Sequence, residues 1–191
     1  MKTLLTISLL FLGVVSQSVD AWGFDGQRKG FVLGGGVGWG ITSFTVHGGW
    51  HTESGPFNYW SFVGGFKIGH APSNQIEMVY SNKVSFFSAS DPVLMESALH
   101  GLHTATVNYY FRPDGPGFFI GGGLGVASLA LITEVDEEIW TGLAFHVGGG
   151  FGFSKHSAVA ADLAYGLPRD RESGEDYRIV SLSITVISTA F

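Results

Sequence analysis

Val180-Ser181-Leu182-Ser183-Ile184-Thr185-Val186 alternates without a slip: each even position is a large aliphatic side chain and each odd one a small hydroxyl. In an extended chain successive side chains point to opposite faces, so this stretch is a strand with one oily face and one small polar face. The same period recurs upstream. Val159, Leu163 and Tyr165 alternate with Ala158, Ala160, Asp162 and Ala164, and Leu143, Phe145, Val147, Phe151 and Phe153 with Ala144, His146, Gly148, Gly150 and Gly152. Phe118, Ile120, Leu124 and Val126 stand against Gly121, Gly123, Gly125 and Ala127. Four more segments, beginning near Phe31, Trp60, Ile76 and Leu99, complete a set of eight.

The connections alternate in length. Ala71–Ser73, Pro113–Pro116 and Lys155–His156 are short, whereas His47–Pro56, Ser88–Ser97, Thr133–Glu138 and Leu167–Asp176 are longer and polar. Eight strands then place all short turns at one end and all long loops at the other, the pattern of a transmembrane barrel. The expected fold is all-β, an eight-stranded antiparallel up-and-down transmembrane β-barrel occupying residues 22–191. Residues 1–21 read as a signal peptide: Met1-Lys2, an uncharged apolar run from Thr3 to Val15, and small residues Val19 and Ala21 before the cleavage point.

Composition agrees. Of 191 residues 29 are glycine and none is cysteine, and 14% are charged, against about 7% glycine and roughly 25% charge in ordinary soluble domains. A helical bundle and a disulfide framework are excluded, and thiolate metal or redox chemistry with them. A net charge of −6 with no basic run argues against nucleic acid as a partner. Residues 115–133 carry no charge and hold Gly117, Gly121 and Gly125 at a helix-packing spacing. A membrane helix there is the rival reading, opposed by the period of two on both sides.

The bore of an eight-stranded barrel is just wide enough to be filled by side chains. Its many large aromatic residues fit lipid better than so narrow an interior. Glycine on the inner face leaves room for longer polar groups, and the expected lumen network is Lys67, Glu77, Lys83, His100, Arg112, His146 and Asp162. Five of six strand charges fall on that parity; Arg178, at a strand end, falls on the other. A turn centred on Pro72 would set Lys67 directly opposite Glu77 as an inward ion pair.

At this point the chain resembles the small outer-membrane β-barrel family of Gram-negative bacteria, which includes the OmpA transmembrane domain and the OmpX-like, opacity-like and "porin family" barrels. The resembling residues are the leader, the runs Gly34–Gly38, Gly121–Gly125 and Gly148–Gly152, the Val107–Phe111 strand and the terminal Phe191. The resemblance implies a monomer in the bacterial outer membrane, reached by export through the periplasm. It implies contacts with membrane lipid and lipopolysaccharide, and Phe191 as a signal to the barrel-assembly machinery. Thr185, Ile187 and Thr189 oppose the strong apolar parity of the last strand, so either a bulge near Ser188 resets the register or the terminal signal is weak.

No cofactor and no metal site are expected. His100 and His103 point to opposite faces, and His47 and His51 read as solvated loop residues. The glycine runs match no phosphate-loop pattern. The expected function is a non-enzymatic structural or adhesin-like surface role. Glu134, Asp136, Glu137, Glu138, Arg169 and Arg171 are the external contact candidates. Two alternatives stand beside it. One is a lipid A-modifying barrel enzyme, for which His156-Ser157 or His146 with Asp162 would be the candidates. The other is a narrow-conductance pore.

Overall fold

The computed structural model describes residues 28–48, 51–88, 97–132, 137–170 and 174–191; the leader expected over residues 1–21 lies outside them. Eight strands follow one another: β1 (Gly30–Gly48), β2 (His51–Ala71), β3 (Ile76–Ser88), β4 (Ser97–Tyr110), β5 (Gly117–Ile132), β6 (Glu137–Gly152), β7 (Ser157–Arg169) and β8 (Asp176–Ala190). Each pairs antiparallel with the next, and β8 pairs with β1 to close the barrel. Residues 117–132 are β5, so the rival membrane helix is replaced by a strand. Among the described residues no helix is long and apolar enough to cross a membrane, which says nothing against crossing by strands.

Three loop expectations change. The first external connection, expected to run from His47 to Pro56, is largely strand: β1 and β2 stay paired as far as Gly48 and His51, with register shifts at Phe44/Val46 and Val46/Gly48. Such irregularities let two long strands bend while keeping their backbone groups paired. The third loop gives up Glu137 and Glu138, which open β6 opposite Ile132 and Leu131. The fourth loop, expected from Leu167 to Asp176, gives up Leu167, Pro168 and Arg169 to β7.

The outward face holds the oily side chains of the alternating pattern. Trp39, Trp60, Phe118, Leu124, Leu143, Leu182 and Ile184 are all exposed, Trp60 by 78%. A continuous apolar belt of that size is untenable in water. On β4 it runs from Leu99 to Tyr109. Ten steps of about 3.3 Å at a tilt near 40° give about 25 Å of height, that of the apolar band in outer-membrane barrels.

Toward the loop end the polarity of the wall inverts. The last polar residues facing inward are Thr42, Ser61, Ser85, His100 and Ser181. One step further on each strand, the inward residues are Phe44, Tyr59, Phe87, Ala98 and Ile179. Outward positions switch the other way, from Ile41, Trp60, Phe86 and Leu182 to Ser43, Asn58, Ser88 and Arg178. The upper part of the barrel is therefore built like a soluble one, oily inside and polar outside, and the inversion marks where the belt ends.

Candidate functional site

The bore is layered. At the loop end Phe44, Val46, Phe87, Ala98, Leu129, Tyr177 and Ile179 form a buried apolar cluster, with Phe57, Tyr59 and Trp140 packed against it. Three ring pairs stack: Phe44–Tyr177 at 5.5 Å, Tyr59–Phe87 at 5.4 Å and Trp140–Tyr177 at 4.8 Å between centroids. Offset-stacked rings gain beyond simple burial, and together they stopper the loop end.

Directly beneath lies a hydroxyl layer. Thr42 Oγ1 is 3.2 Å from Ser61 Oγ and 3.1 Å from Ser181 Oγ, and Ser181 Oγ is 3.4 Å from Nδ1 of the fully buried His100. Gly166 makes room for that imidazole: a Cβ there would come within 2.8 Å of His100 Nε2.

Two charged groups fill the middle. Lys83, from β3, reaches across the bore to Asp162 on β7, Nζ to Oδ2 at 2.7 Å. His146 Nδ1 stands 3.6 Å from Asp162 Oδ1, and the Thr106 hydroxyl is 2.9 Å from His146 Nε2 and 3.0 Å from Thr104 Oγ1. Nearer the turn end, Lys67 Nζ donates to both oxygens of Glu77, at 2.8 and 3.0 Å. Glu77 also accepts from Asn108 Nδ2 at 2.7 Å and the Tyr110 hydroxyl at 3.2 Å. Four hydrogen bonds from three donor groups surround a carboxylate that is 1% exposed, which is what a buried charge requires.

The Lys67–Glu77 pair forms by a different register from the one expected. Lys67 is the Cα partner of Ser81, and the β2–β3 turn spans residues 72–75. The lysine therefore reaches diagonally across four residues, which its length permits and the tilt of a closed barrel favours. Glycine supplies the space: a Cβ at Gly34 would come within 2.8 Å of Lys67 Cε, and one at Gly123 within 2.6 Å of Thr106 Oγ1 and 2.9 Å of His146 Nε2.

Arg112 is not in the bore. It lies exposed two residues beyond the end of β4. Arg28 takes the inward place. Its guanidinium sits 4.1 Å from the Tyr110 ring centroid and donates to the carbonyls of Arg112 at 2.8 Å, Pro113 at 3.3 Å and Gly115 at 3.1 Å. Arg28 precedes β1, and those carbonyls belong to the β4–β5 turn, half-way round the barrel. The segment therefore straps the turn-end mouth, and the Lys29 amide is held by Asn74 Oδ1 at 3.0 Å. Arg28 stands before the first alternating segment, so the period gave it no parity to read.

Phe191 also belongs to this end. It is 5% exposed and packs with Val32, Ala71 and Val79. The β1–β8 register is unbroken from His47/Asp176 to Leu33/Ala190, so no bulge near Ser188 intervenes and the terminal ring keeps the inward parity. His156 Nδ1, 2.9 Å from the Thr189 carbonyl, ties the β6–β7 turn to the same corner and not to its neighbour Ser157.

Of the external candidates, Arg169 ends β7 and its Nε donates to Asp176 Oδ1 at 3.1 Å, both side chains being mostly exposed. Glu134, Asp136 and Arg171 fall outside the described residues.

Thr106, His146 and Asp162 line up as hydroxyl, imidazole and carboxylate, the order nucleophilic catalysis uses. The adjoining cavity measures about 90 Å³ and is lined by Lys67, Lys83, Asn108, Tyr110, His146 and Asp162 among others. Ligand pockets run to roughly 300–1,000 Å³. This one suits a few waters, and a stopper stands above it and a strap below.

Comparison with known proteins places the fold. No family model matches the chain, and no curated protein sequence does. Among solved structures, Neisserial surface protein A is similar at 11% identity, covering 83% of this chain and 95% of that one, with a TM-score of 0.50. Ail, the attachment invasion locus protein of Yersinia pestis, is similar at 14% identity over 83% and 99% of the two chains, TM-score 0.43. OprG from Pseudomonas aeruginosa is similar at 14% over 87% and 98%, TM-score 0.43. The chain thus has the eight-stranded barrel fold of small outer-membrane proteins.

Proposed function

We propose that this protein is an integral barrel of a bacterial outer membrane, exported by its leader, and that it works as a non-enzymatic scaffold displaying its loop end. The observation that carries this reading is the closed bore: an aromatic stopper at one end, an arginine strap at the other, and paired charges between them. Among the described residues, a bore so filled favours a closed scaffold over a solute path or a substrate entry. What remains accessible is the outside, which divides into a lipid-facing belt and a rigid, polar-surfaced collar. Loops on a rigid scaffold are where contacts are made. The collar bears the Arg169–Asp176 pair at its rim; by sequence, Glu134, Asp136, Glu137, Glu138 and Arg171 are the further contact candidates for lipopolysaccharide headgroups or other molecules. Phe191, facing inward, serves as part of the turn-end plug; a second role as the assembly machinery's signal is testable by deleting it and following insertion.

Planar-bilayer recording of the refolded protein tests the reading. The expected result is silence at high protein density. Steady unitary currents would replace this reading with the narrow pore. Lipid A mass spectra with and without expression are expected to be identical, and a new acylation state would replace it with the enzyme.

A further inference from the structure

The belt is not uniformly oily. Tyr80 and Asn82 on β3 and His103 on β4 occupy outward positions, and Asn82 is the Cα partner of His103. The Tyr80 hydroxyl is 2.7 Å and Asn82 Nδ2 3.1 Å from the same ring nitrogen, His103 Nδ1, and the Tyr80 and His103 rings stack at 6.3 Å. His103 lies four residues below Leu99, which puts it about 10 Å inside the loop-side edge of the belt. Polar side chains at such depth are costly and are kept for a purpose.

The hydrogen bonds leave a remainder. The Asn82 amide can stand either way round: turned over, Oδ1 accepts from Nδ1–H and leaves Asn82 Nδ2 and His103 Nε2 as the open donor and acceptor; with Nδ2 toward the ring, Nδ2 donates to Nδ1 and the ring hydrogen sits on Nε2. Either way one donor and one acceptor, shared between His103 Nε2 and the outer atom of the Asn82 amide, have no partner among the described residues. Neither water nor a headgroup reaches that depth. Ala105, small and exposed, flanks the imidazole on the outward face of β4, whereas on the other side Ser128 Oγ crowds the space over Gly101, where a Cβ would stand 2.5 Å from that hydroxyl and 3.6 Å from His103 Nε2.

A donor beside an acceptor is self-complementary under a two-fold axis: each copy's His103 Nε2 meets the other's Asn82 amide. We propose that the β3–β4 face is an isologous contact at which two copies of this chain pair within the membrane, through reciprocal His103–Asn82 hydrogen bonds. This departs from the monomer that the sequence resemblance implies. In lipid the surrounding aliphatic side chains give no preference for another protein over acyl chains, so polar groups and small residues decide association. The inference rests on the belt lying in hydrocarbon.

The protein, refolded into phosphatidylcholine vesicles, is first floated with them on a density gradient. Energy transfer between donor- and acceptor-labelled copies is then followed as lipid dilutes protein. The wild type is expected to show a dilutable dimer. His103→Leu and Asn82→Leu, each outward and compatible with the fold, are expected to raise its dissociation constant about ten-fold. Because the chain has no cysteine, Ala105→Cys is expected to give oxidised dimers, and Leu182→Cys, on β8 across the barrel, is not. Heat-dependent electrophoretic mobility confirms that each variant is folded. Floated protein that is monomeric at every dilution would overturn the pairing alone. So would transfer unchanged in both leucine variants, or cross-linking through Leu182→Cys in place of Ala105→Cys. Failure to float would overturn the membrane reading on which the pairing rests.

Discussion

Glu77 shows what a single buried charge demands. It has four hydrogen bonds from three residues, and among the described residues Lys67 is the one cation bonded to it. Replacing Lys67 by methionine keeps the bulk but leaves the carboxylate with two neutral donors. The expected cost is about 3 kcal/mol in urea unfolding from vesicles, because the remaining charge stays desolvated. Glu77→Gln should cost less, since Lys67 is partly open to the cavity and its waters. The double variant should be more stable than the sum of the two losses by about 1–3 kcal/mol, the signature of direct coupling. Additive losses would mean that Lys67 and Glu77 act independently. The identity of the pair was legible from parity alone. The diagonal reach was not, because Ala71–Ser73 reads as a three-residue turn in sequence and barrel tilt leaves no mark in a local pattern. The same limit explains Arg112: its parity extends the β4 alternation, but the strand ends at Tyr110 before the side chain can turn inward.

At the scale of elements, the inversion of wall polarity is the feature a strand-by-strand reading passes over. Ser43-Phe44-Thr45-Val46-His47 alternates as cleanly as the belt does, yet its oily face is the one that glycine occupies lower on β1. The signal was present in the Phe86-Phe87 adjacency on β3, where one ring faces out and the next faces in. Recognising it requires the eight strands to be aligned to a common height, which pairing supplies and sequence does not. The collar should therefore behave as a packed core. Phe44→Ala should destabilise by about 3–5 kcal/mol, as cavities in tight cores do, and Phe44→Leu by less than half of that. Equal small losses in both would show that the aromatic cluster is loose, and the claim of a stoppered bore would fall with it. The strap is an element-scale device of the same kind, in which three carbonyls and a ring face hold one guanidinium.

For the whole molecule, the eight strands, their order and the closure were open to reading because a period of two is local and repeats. The direction in which each face points is a global property, fixed by solvent on one side and a crowded bore on the other. Leu124 on β5 is 72% exposed in the isolated barrel, and Asn58 on β2 is exposed as well, yet the two belong to different surroundings if the belt lies in lipid. With no native cysteine, single substitutions report this directly. On intact cells expressing the protein, Asn58→Cys, Thr141→Cys and Arg178→Cys, all outward on the collar, should react within minutes with a membrane-impermeant maleimide. Leu124→Cys, Leu182→Cys and Ile184→Cys should stay unreacted until detergent is added, and Thr185→Cys, facing the bore, should resist even then while the barrel remains folded. Collar positions that label only after lysis would turn the molecule upside down in its membrane. Belt positions that label as fast as Asn58→Cys would take it out of the membrane altogether, and with it the pairing face, the closed scaffold and the meaning of the inversion.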